Sequence, residues 1–128
     1  MKTYNMKLRT KYFDCIKTGS KRIELRLNDE KRKDIQIGDE IIFEELIENP
    51  RYLKTKVVDL YYEDNFNELL NKYDIKLFSD DETTKQELID VLNEIYPIEN
   101  QIKYGVVGIK IEIIWGDKDN IKIIFLKN

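Results

Sequence analysis

The strongest constraint on the fold of this chain is an abrupt change of periodicity at Gly19. From Lys11 to Thr18 the apolar residues recur at helical spacing, whereas from Arg22 to Leu27 charged and apolar residues alternate. Glycine adopts the left-handed conformation that ends many helices without a steric penalty. The sequence therefore predicts a helix that ends at Gly19 and passes almost directly into a strand.

Three charged residues lie at defined positions relative to the predicted helix and strand. Lys21 lies between the predicted helix and strand, and Glu24 and Arg26 lie two residues apart on one face of that strand. This pattern places both signs of charge where a helix meets a sheet. We therefore take these three residues as the candidate site. The alternative is that they form a structural ion-pair network with no further role.

The remaining pattern predicts a mixture of helices and strands. Thr10 is a plausible N-cap of the first helix, and Gly38 supplies a positive φ in a tight turn. Beyond the first helix and its strand, the sequence predicts helices at 66–72 and 84–96 and strands at 2–9, 41–43, 52–62, 104–114 and 120–126. This order lacks the regular alternation of a parallel βαβ sheet. We predict one α+β domain over residues 1–128, with a mixed or antiparallel sheet curled into a small β-barrel and flanked by helices.

Composition narrows the possible chemistry and location. The chain has no histidine, which removes the usual general base, the Ser–His and Cys–His nucleophile pairs and most zinc sites. Its single cysteine, Cys15, falls in an apolar helical stripe, predicts a buried thiol and is typical of a reducing compartment. There is no run of eighteen apolar residues and no apolar stretch typical of a secretory signal. We expect a cytoplasmic protein with no membrane segment, no metal and no cofactor.

Charge is distributed unevenly along the chain. Residues 1–39 carry eleven basic and six acidic side chains, whereas residues 40–99 carry six basic and sixteen acidic ones. A basic N-terminal third keeps nucleic acid possible as a partner, although the net charge is −3. Two alternatives stay open: the segregation is chance, or the acidic middle docks a basic protein.

The residues at the junction also carry a family resemblance. The spacing Gly-x-Lys-x-x-Glu-x-Arg, starting at Gly19, resembles the signature of an ASCH domain. The segments 37–43, 66–69, 95–97 and 104–111 fit the same family, so the resemblance covers about residues 5–113. Residues 114–128 lie beyond it and are predicted to add a C-terminal strand. The resemblance implies a PUA-like small β-barrel that binds RNA in a cleft carrying the signature residues.

The same resemblance implies two enzymatic alternatives. One branch of the family hydrolyses the acetyl group of N4-acetylcytidine with a lysine, a threonine and a glutamate, and another member is a ribonuclease. The lysine falls on Lys21, but Glu24 stands where that branch has its threonine. Asp81 and Glu82 are the nearest candidates for the family's glutamate. If the protein is an enzyme, Lys21 and Glu24 are its predicted catalytic residues.

The expected ligand is RNA or a nucleotide-like molecule. Lys21 and Arg26 would hold phosphate or carbonyl oxygens, and Glu24 would orient Arg26 or accept from an exocyclic amine. Lys31 and Arg32 are predicted at the rim of the cleft, although an ordinary solvated loop also explains them. Tyrosines, among them Tyr12 and Tyr104, would stack on bases or simply pack the barrel. Thr18 and Ser20 are the hydroxyls nearest to the site for a hydrolase.

Overall fold

The computed structural model describes residues 1–80 and 82–115. It contains five strands, which are β1 (Thr3–Leu8), β2 (Ile23–Leu27), β3 (Glu40–Glu45), β4 (Tyr52–Glu63) and β5 (Val106–Trp115). The helices are α1 (Thr10–Thr18), α2 (Phe66–Lys72), α3 (Lys85–Ile95) and α4 (Ile98–Tyr104), with a 3₁₀ turn at Ile75–Leu77. The predicted α+β class is confirmed. No helix in these two ranges is long and apolar enough to span a membrane.

One mixed sheet organises the fold. Its strand order is β1-β3-β4-β5-β2, with β1 parallel to β3 and every other pair antiparallel. The pairing of β4 with β5 shifts register at Lys54/Thr55 and again between Val57 and Asp59, and irregularities of this kind bend a strand. The sheet therefore curls, and its edge strands β1 and β2 approach each other. The result is the PUA-like half-barrel, flanked by helices, that the sequence predicted.

The interior is divided into two apolar clusters. One fills the curl of the sheet and includes Phe13 and Ile16 from α1, which pack on Phe43 of β3. The other lies beneath α2 and α3 and includes Phe66 and Phe78. The four phenylalanines named here are fully buried. Helices α1 and α3 pack on different clusters, and a gap remains between them. The gap lies beside the two edge strands β1 and β2, which do not pair with each other.

Local signals placed several elements correctly. Gly19 ends α1 in the left-handed region with φ of 86°, and Gly38 has φ of 97° in the predicted turn. Thr84 caps α3 through a capping box with Glu87. The prediction of Thr10 as the cap of α1 was wrong. Arg9 holds that position, and the Thr10 hydroxyl donates instead to Glu45 Oε2 at 2.8 Å.

The C-terminal part of the fold differs from the prediction in one element. Helix α4 was not predicted, and it includes Tyr104, which had been assigned to a strand. Strand β5 begins only at Val106, after Gly105 turns the chain with φ of 72°. The predicted strand at 120–126 lies outside the described residues. The thiol of Cys15 is buried, as predicted.

Candidate functional site

A cleft of about 200 Å³ opens where the sheet does not close. Its floor is formed by the charged side chains that β2 and the residues before it supply. Its walls come from the β1–α1 connection on one side and from α3 on the other. The three predicted site residues, Lys21, Glu24 and Arg26, all line this cleft.

Glu24 is the hub of the floor. Glu24 lies on the charged face of β2, yet it is only 5% exposed. This face of the strand points into the cleft and not into bulk water. Glu24 Oε1 accepts from the Leu25 amide at 3.0 Å and lies 3.3 Å from Lys21 Nζ. Its Oε2 accepts from Arg26 Nε at 3.2 Å and from Nη2 at 2.9 Å. A carboxylate offers about four lone-pair sites, and these contacts occupy them.

Lys21 lies against one end of the floor. Its ammonium donates to the carbonyl of Phe78 at 3.0 Å and lies 5.7 Å from the centre of the Tyr12 ring. The residue is 4% exposed, and its position is fixed by the backbone bond from its amide to the Cys15 carbonyl at 2.9 Å. The chain after α1 thus places Lys21 in the cleft, next to its counter-ion Glu24. An ammonium has three donors, and Phe78 and Glu24 account for two.

Arg26 joins the two edges of the sheet. Its Nη2 donates both to Glu24 and to the backbone carbonyl of Lys7 at 2.9 Å, so the side chain bridges β2 to β1 where no ladder bonds exist. A guanidinium has five donors, of which Nε and Nη2 supply three here. The two on Nη1 have no partner among the residues that the structure describes. Within the described residues, Arg26 therefore keeps donors without a protein partner at the cleft floor, as does the ammonium of Lys21 with its third donor.

The charges of the floor stabilise one another. Burial acts to raise the pKa of Glu24, but Lys21 and Arg26 outweigh it and hold that pKa below its usual value. Burial acts to lower the pKa of Arg26, and Glu24 more than offsets it. The floor is therefore a buried carboxylate between two cations, a set with an excess of one positive charge. Such a floor attracts an anion or a carbonyl oxygen.

The wall opposite the β1–α1 connection is apolar. Helix α3 turns one stripe toward the cleft, formed by Leu88, Val91, Leu92 and Ile95. Tyr96 ends this wall, and burial raises the pKa of its hydroxyl. Leu46 stands at the rim and is 56% exposed. An apolar wall above a polar floor is the usual composition of a site that takes a flat, partly polar ligand.

Two of the predicted residues lie away from the cleft. Lys31 and Arg32 follow β2 in a loop and do not line it. Arg32 Nη1 forms an ion pair with Asp29 Oδ2 at 3.1 Å. The charge of Arg32 also acts to lower the pKa of the Tyr96 hydroxyl, so Arg32 lies near the end of the cleft that Tyr96 forms. Lys31 is exposed. Their contact with a ligand stays a prediction.

Among the other residues that the sequence suggested for the site, some line the cleft and others lie outside it. Tyr12 lines the cleft, whereas Tyr104 packs against the second apolar cluster. The hydroxyls of Thr18 and Ser20 both donate to carbonyls at the end of α1, at 2.9 Å to Asp14 and 3.1 Å to Cys15. They complete the helix end and do not line the cleft. Glu82 is exposed and also outside it, and Asp81 is not among the described residues.

Sequence reasoning missed the two cations of the opposite rim. Lys7 and Arg9 line the cleft from the end of β1 and the start of α1. Both had been assigned to a predicted strand that continued through residue 9, which gave no reason to single them out. The apolar stripe of α3 also lines the cleft and is not fully buried, because Val91 is half-buried and Ile95 is 43% exposed. In residues 1–80 and 82–115, no group of three or more acidic or cysteine side chains is arranged to hold a metal ion.

The open, curled sheet with a charged cleft at its unpaired edge defines a PUA-like domain. A family model for the ASCH domain matches residues 6–114, so this chain belongs to the ASCH domain family, whose members generally bind RNA. None of the curated proteins matches the chain.

Two solved structures are similar over most of their length. The crystal structure of hypothetical protein PH0355 has 39% sequence identity and a TM-score of 0.77, and the match covers 89% of this chain and 100% of that one. The solution NMR structure of protein PF0455 from Pyrococcus furiosus has 34% identity and a TM-score of 0.69, and the match covers 89% of this chain and 98% of that one.

Proposed function

We propose that this protein binds RNA, or a nucleotide-like ligand, in the cleft above Lys21, Glu24 and Arg26. The observation that carries the proposal is the pair of unpartnered Nη1 donors of Arg26, which lie on the floor of a cleft with an apolar wall. The cleft volume of about 200 Å³ is below the roughly 300 Å³ at which sites for drug-sized ligands begin. A single base is therefore the unit that fits.

Each floor residue has a distinct role in this proposal. Arg26 donates to a carbonyl or phosphate oxygen of the ligand, and the ammonium of Lys21 stabilises the same oxygen by its charge. Glu24, whose acceptor sites are occupied, orients both cations. The ring of Tyr12, beside Lys21, offers a stacking surface for a base. Arg32 and Lys31 extend the positive charge beyond Tyr96. RNA binding and a reduced Cys15 both fit a cytoplasmic protein.

Hydrolysis is the alternative, and one observation favours it. A buried lysine in contact with a carboxylate inside a cleft is an arrangement that some histidine-free hydrolases need. In that case Lys21 and Glu24 are the catalytic residues, acting on N4-acetylcytidine or on the RNA backbone. The described part of the cleft, however, has no second carboxylate, and Thr18 and Ser20 are engaged elsewhere. Binding is therefore the better supported function.

The test separates binding from both reactions. The protein is incubated with N4-acetylcytidine and, separately, with a short mixed-sequence RNA, and both are followed by mass spectrometry. RNA affinity is measured in parallel by fluorescence anisotropy. Lys21→Ala and Arg26→Ala are compared with Lys33→Ala, an exposed lysine outside the cleft. Circular dichroism confirms that each variant is folded.

We expect intact substrates and an RNA affinity that Lys21→Ala and Arg26→Ala reduce. Arg26→Ala should also lower the slope of log affinity against log salt by about 0.7, the contribution of one phosphate contact on a single strand, if the residue contacts phosphate. Lys33→Ala should leave both quantities unchanged. Loss of the acetyl group, or cleavage of the RNA, in a Lys21-dependent way would instead establish the enzymatic alternative. No binding and no turnover would reject both.

A further inference from the structure

We propose that the backbone of bound RNA runs along the rim formed by Lys7, Arg9 and Lys11, with Arg9 as its principal phosphate contact. This inference rests on the function proposed above and deepens it, because it assigns the path of the phosphates and the residues that contact them. We call these three residues the basic rim. None of them belongs to the family signature at residues 19–26.

The basic rim is held in a fixed position. Its backbone at Lys7 accepts from Arg26 Nη2 at 2.9 Å, so it is tied directly to the cleft floor. The carbonyl of Leu8 accepts from the Leu46 amide at 2.7 Å, and the carbonyl of Arg9 accepts from the amides of Tyr12 and Phe13 at 3.0 Å. These bonds fix the backbone from which the three cations extend relative to the cleft floor, which reduces the ordering cost of binding.

The side chains of the basic rim are available to a ligand. Arg9 is exposed and has no ion pair or side-chain hydrogen bond within the part of the chain that the structure describes. Lys7 and Lys11 face Glu44 and Asp80 only at 4.0 Å, with lysine side chains 67% and 57% exposed. Exposed pairs of this kind contribute little, so their lysines are readily recruited by phosphate.

The charge of the two rims differs in sign. Helix α3, which forms the opposite wall, carries three exposed acidic side chains, Glu87, Asp90 and Glu94, against the single cation Lys85. A polyanion whose base enters the cleft is therefore repelled on the α3 side and attracted on the β1–α1 side. This asymmetry assigns the backbone to the basic rim.

The loop after β2 is less suited to the same role. Arg32 is paired with Asp29 at 3.1 Å, and Lys33 is paired with Glu30 at 2.8 Å. Each of these cations therefore brings its own nearby carboxylate, which weakens the field that a phosphate meets. Lys33 is accordingly the matched control, since it is an exposed lysine outside the cleft.

The experiment measures affinity for a short, unstructured, fluorescein-labelled RNA between about 50 and 200 mM salt. The proteins are the wild type, Arg9→Gln, Arg9→Lys and Lys33→Ala. For single strands each phosphate contact contributes about 0.7 to the slope of log affinity against log salt. We expect Arg9→Gln to lower the slope by about that amount, Arg9→Lys to retain it and Lys33→Ala to leave it unchanged.

Three outcomes would overturn the inference and are distinguishable from one another. If the wild type binds RNA and the slope of Arg9→Gln is unchanged, the phosphates do not follow the basic rim, but the proposed function stands. If the wild type binds no RNA, the proposed function fails as well. A polyglutamate peptide serves as a competitor. If it binds as tightly as RNA and with the same dependence on Arg9, the rim is a docking surface for acidic proteins and the inference is wrong.

Discussion

Glu24 and Glu45 are both buried beside an arginine, but Glu45 lies outside the cleft. Glu24 is 5% exposed and Glu45 is 2% exposed, and both accept from a guanidinium through Nε and Nη2. Around Glu45, Arg51 also donates to Asp14 at 2.7 Å, and its guanidinium lies 4.7 Å from the centre of the Phe13 ring. This second cluster ties α1 to β3 and β4.

The difference lies in where each arginine stands, because the Nη1 of each has no hydrogen-bond partner among the residues that the structure describes. Arg51 is shared between two carboxylates, packs on an aromatic ring and does not line the cleft, so its cluster is structural. Arg26 is shared between one carboxylate and one carbonyl, and its Nη1 faces a cleft with a buried lysine beside it. Buried charge alone is therefore not the signal of a functional site. The signal is a charged donor that lines a cavity and has no protein partner there.

The largest effect is expected for Glu24→Gln. The change leaves the buried ammonium of Lys21 and the guanidinium of Arg26 without a counter-ion, a situation that costs about 3–5 kcal/mol. Urea unfolding should show this loss of stability, and RNA affinity should fall with it because both cations lose their orientation. The double variant Lys21→Met/Glu24→Gln should recover part of the stability but none of the affinity. Full stability in Glu24→Gln would contradict the account of the floor.

A smaller effect is expected for Glu45→Gln. Here Arg51 remains 32% exposed and keeps part of its hydration, so we expect a loss of about 2 kcal/mol in the free energy of unfolding. Because the cluster lies outside the cleft, RNA affinity measured on the folded variant should not change. If Glu45→Gln kept wild-type stability but bound RNA less tightly, the Glu45 cluster would be the functional one, which would contradict the roles assigned to the two clusters.

The smallest effect is the pH dependence of the stability difference between the wild type and Glu45→Gln. Hydrogen bonds from Arg51 lower the pKa of Glu45 to about 2 in the folded protein, from an ordinary value of 4.5. The resulting stabilisation is present above pH 4.5 and is lost as the pH falls through about 2. The stability difference between wild type and Glu45→Gln should therefore shrink when urea unfolding is repeated between about pH 5 and about pH 2.5. A difference that grows on acidification would contradict the assigned pKa shift.

Much of the fold could be predicted because its signals are local. Gly19 and Thr84 mark helix ends through their own backbone preferences and capping groups, and the alternation in β2 identifies a strand within six residues. Helix α4 was missed because its seven residues are too short to show a stripe, and two of its isoleucines, Ile98 and Ile102, are exposed. Its stability comes from Gln101, which is fully buried and accepts from the Phe66 amide at 3.1 Å.

The site could be predicted only in part for a related reason. Lys21, Glu24 and Arg26 are close in sequence, so their spacing is visible without a structure. The basic rim and the α3 wall reach the cleft only through the curl of the sheet, which the pairing of β4 with β5 produces. Glu45 and Arg51 pair across a turn and meet Asp14 from α1, a contact that no local pattern indicates.

The measurement that tests the central claim most directly is a titration of the ¹⁵N-labelled protein with a short single-stranded RNA, followed by NMR. If the cleft is the binding site, the largest amide shifts should occur at Arg9, at 21–26 and at Tyr96, while Arg51 and Thr55 in the structural region remain unchanged. Shifts confined to the Arg51 cluster, or to the Lys31–Lys33 loop, would contradict the account.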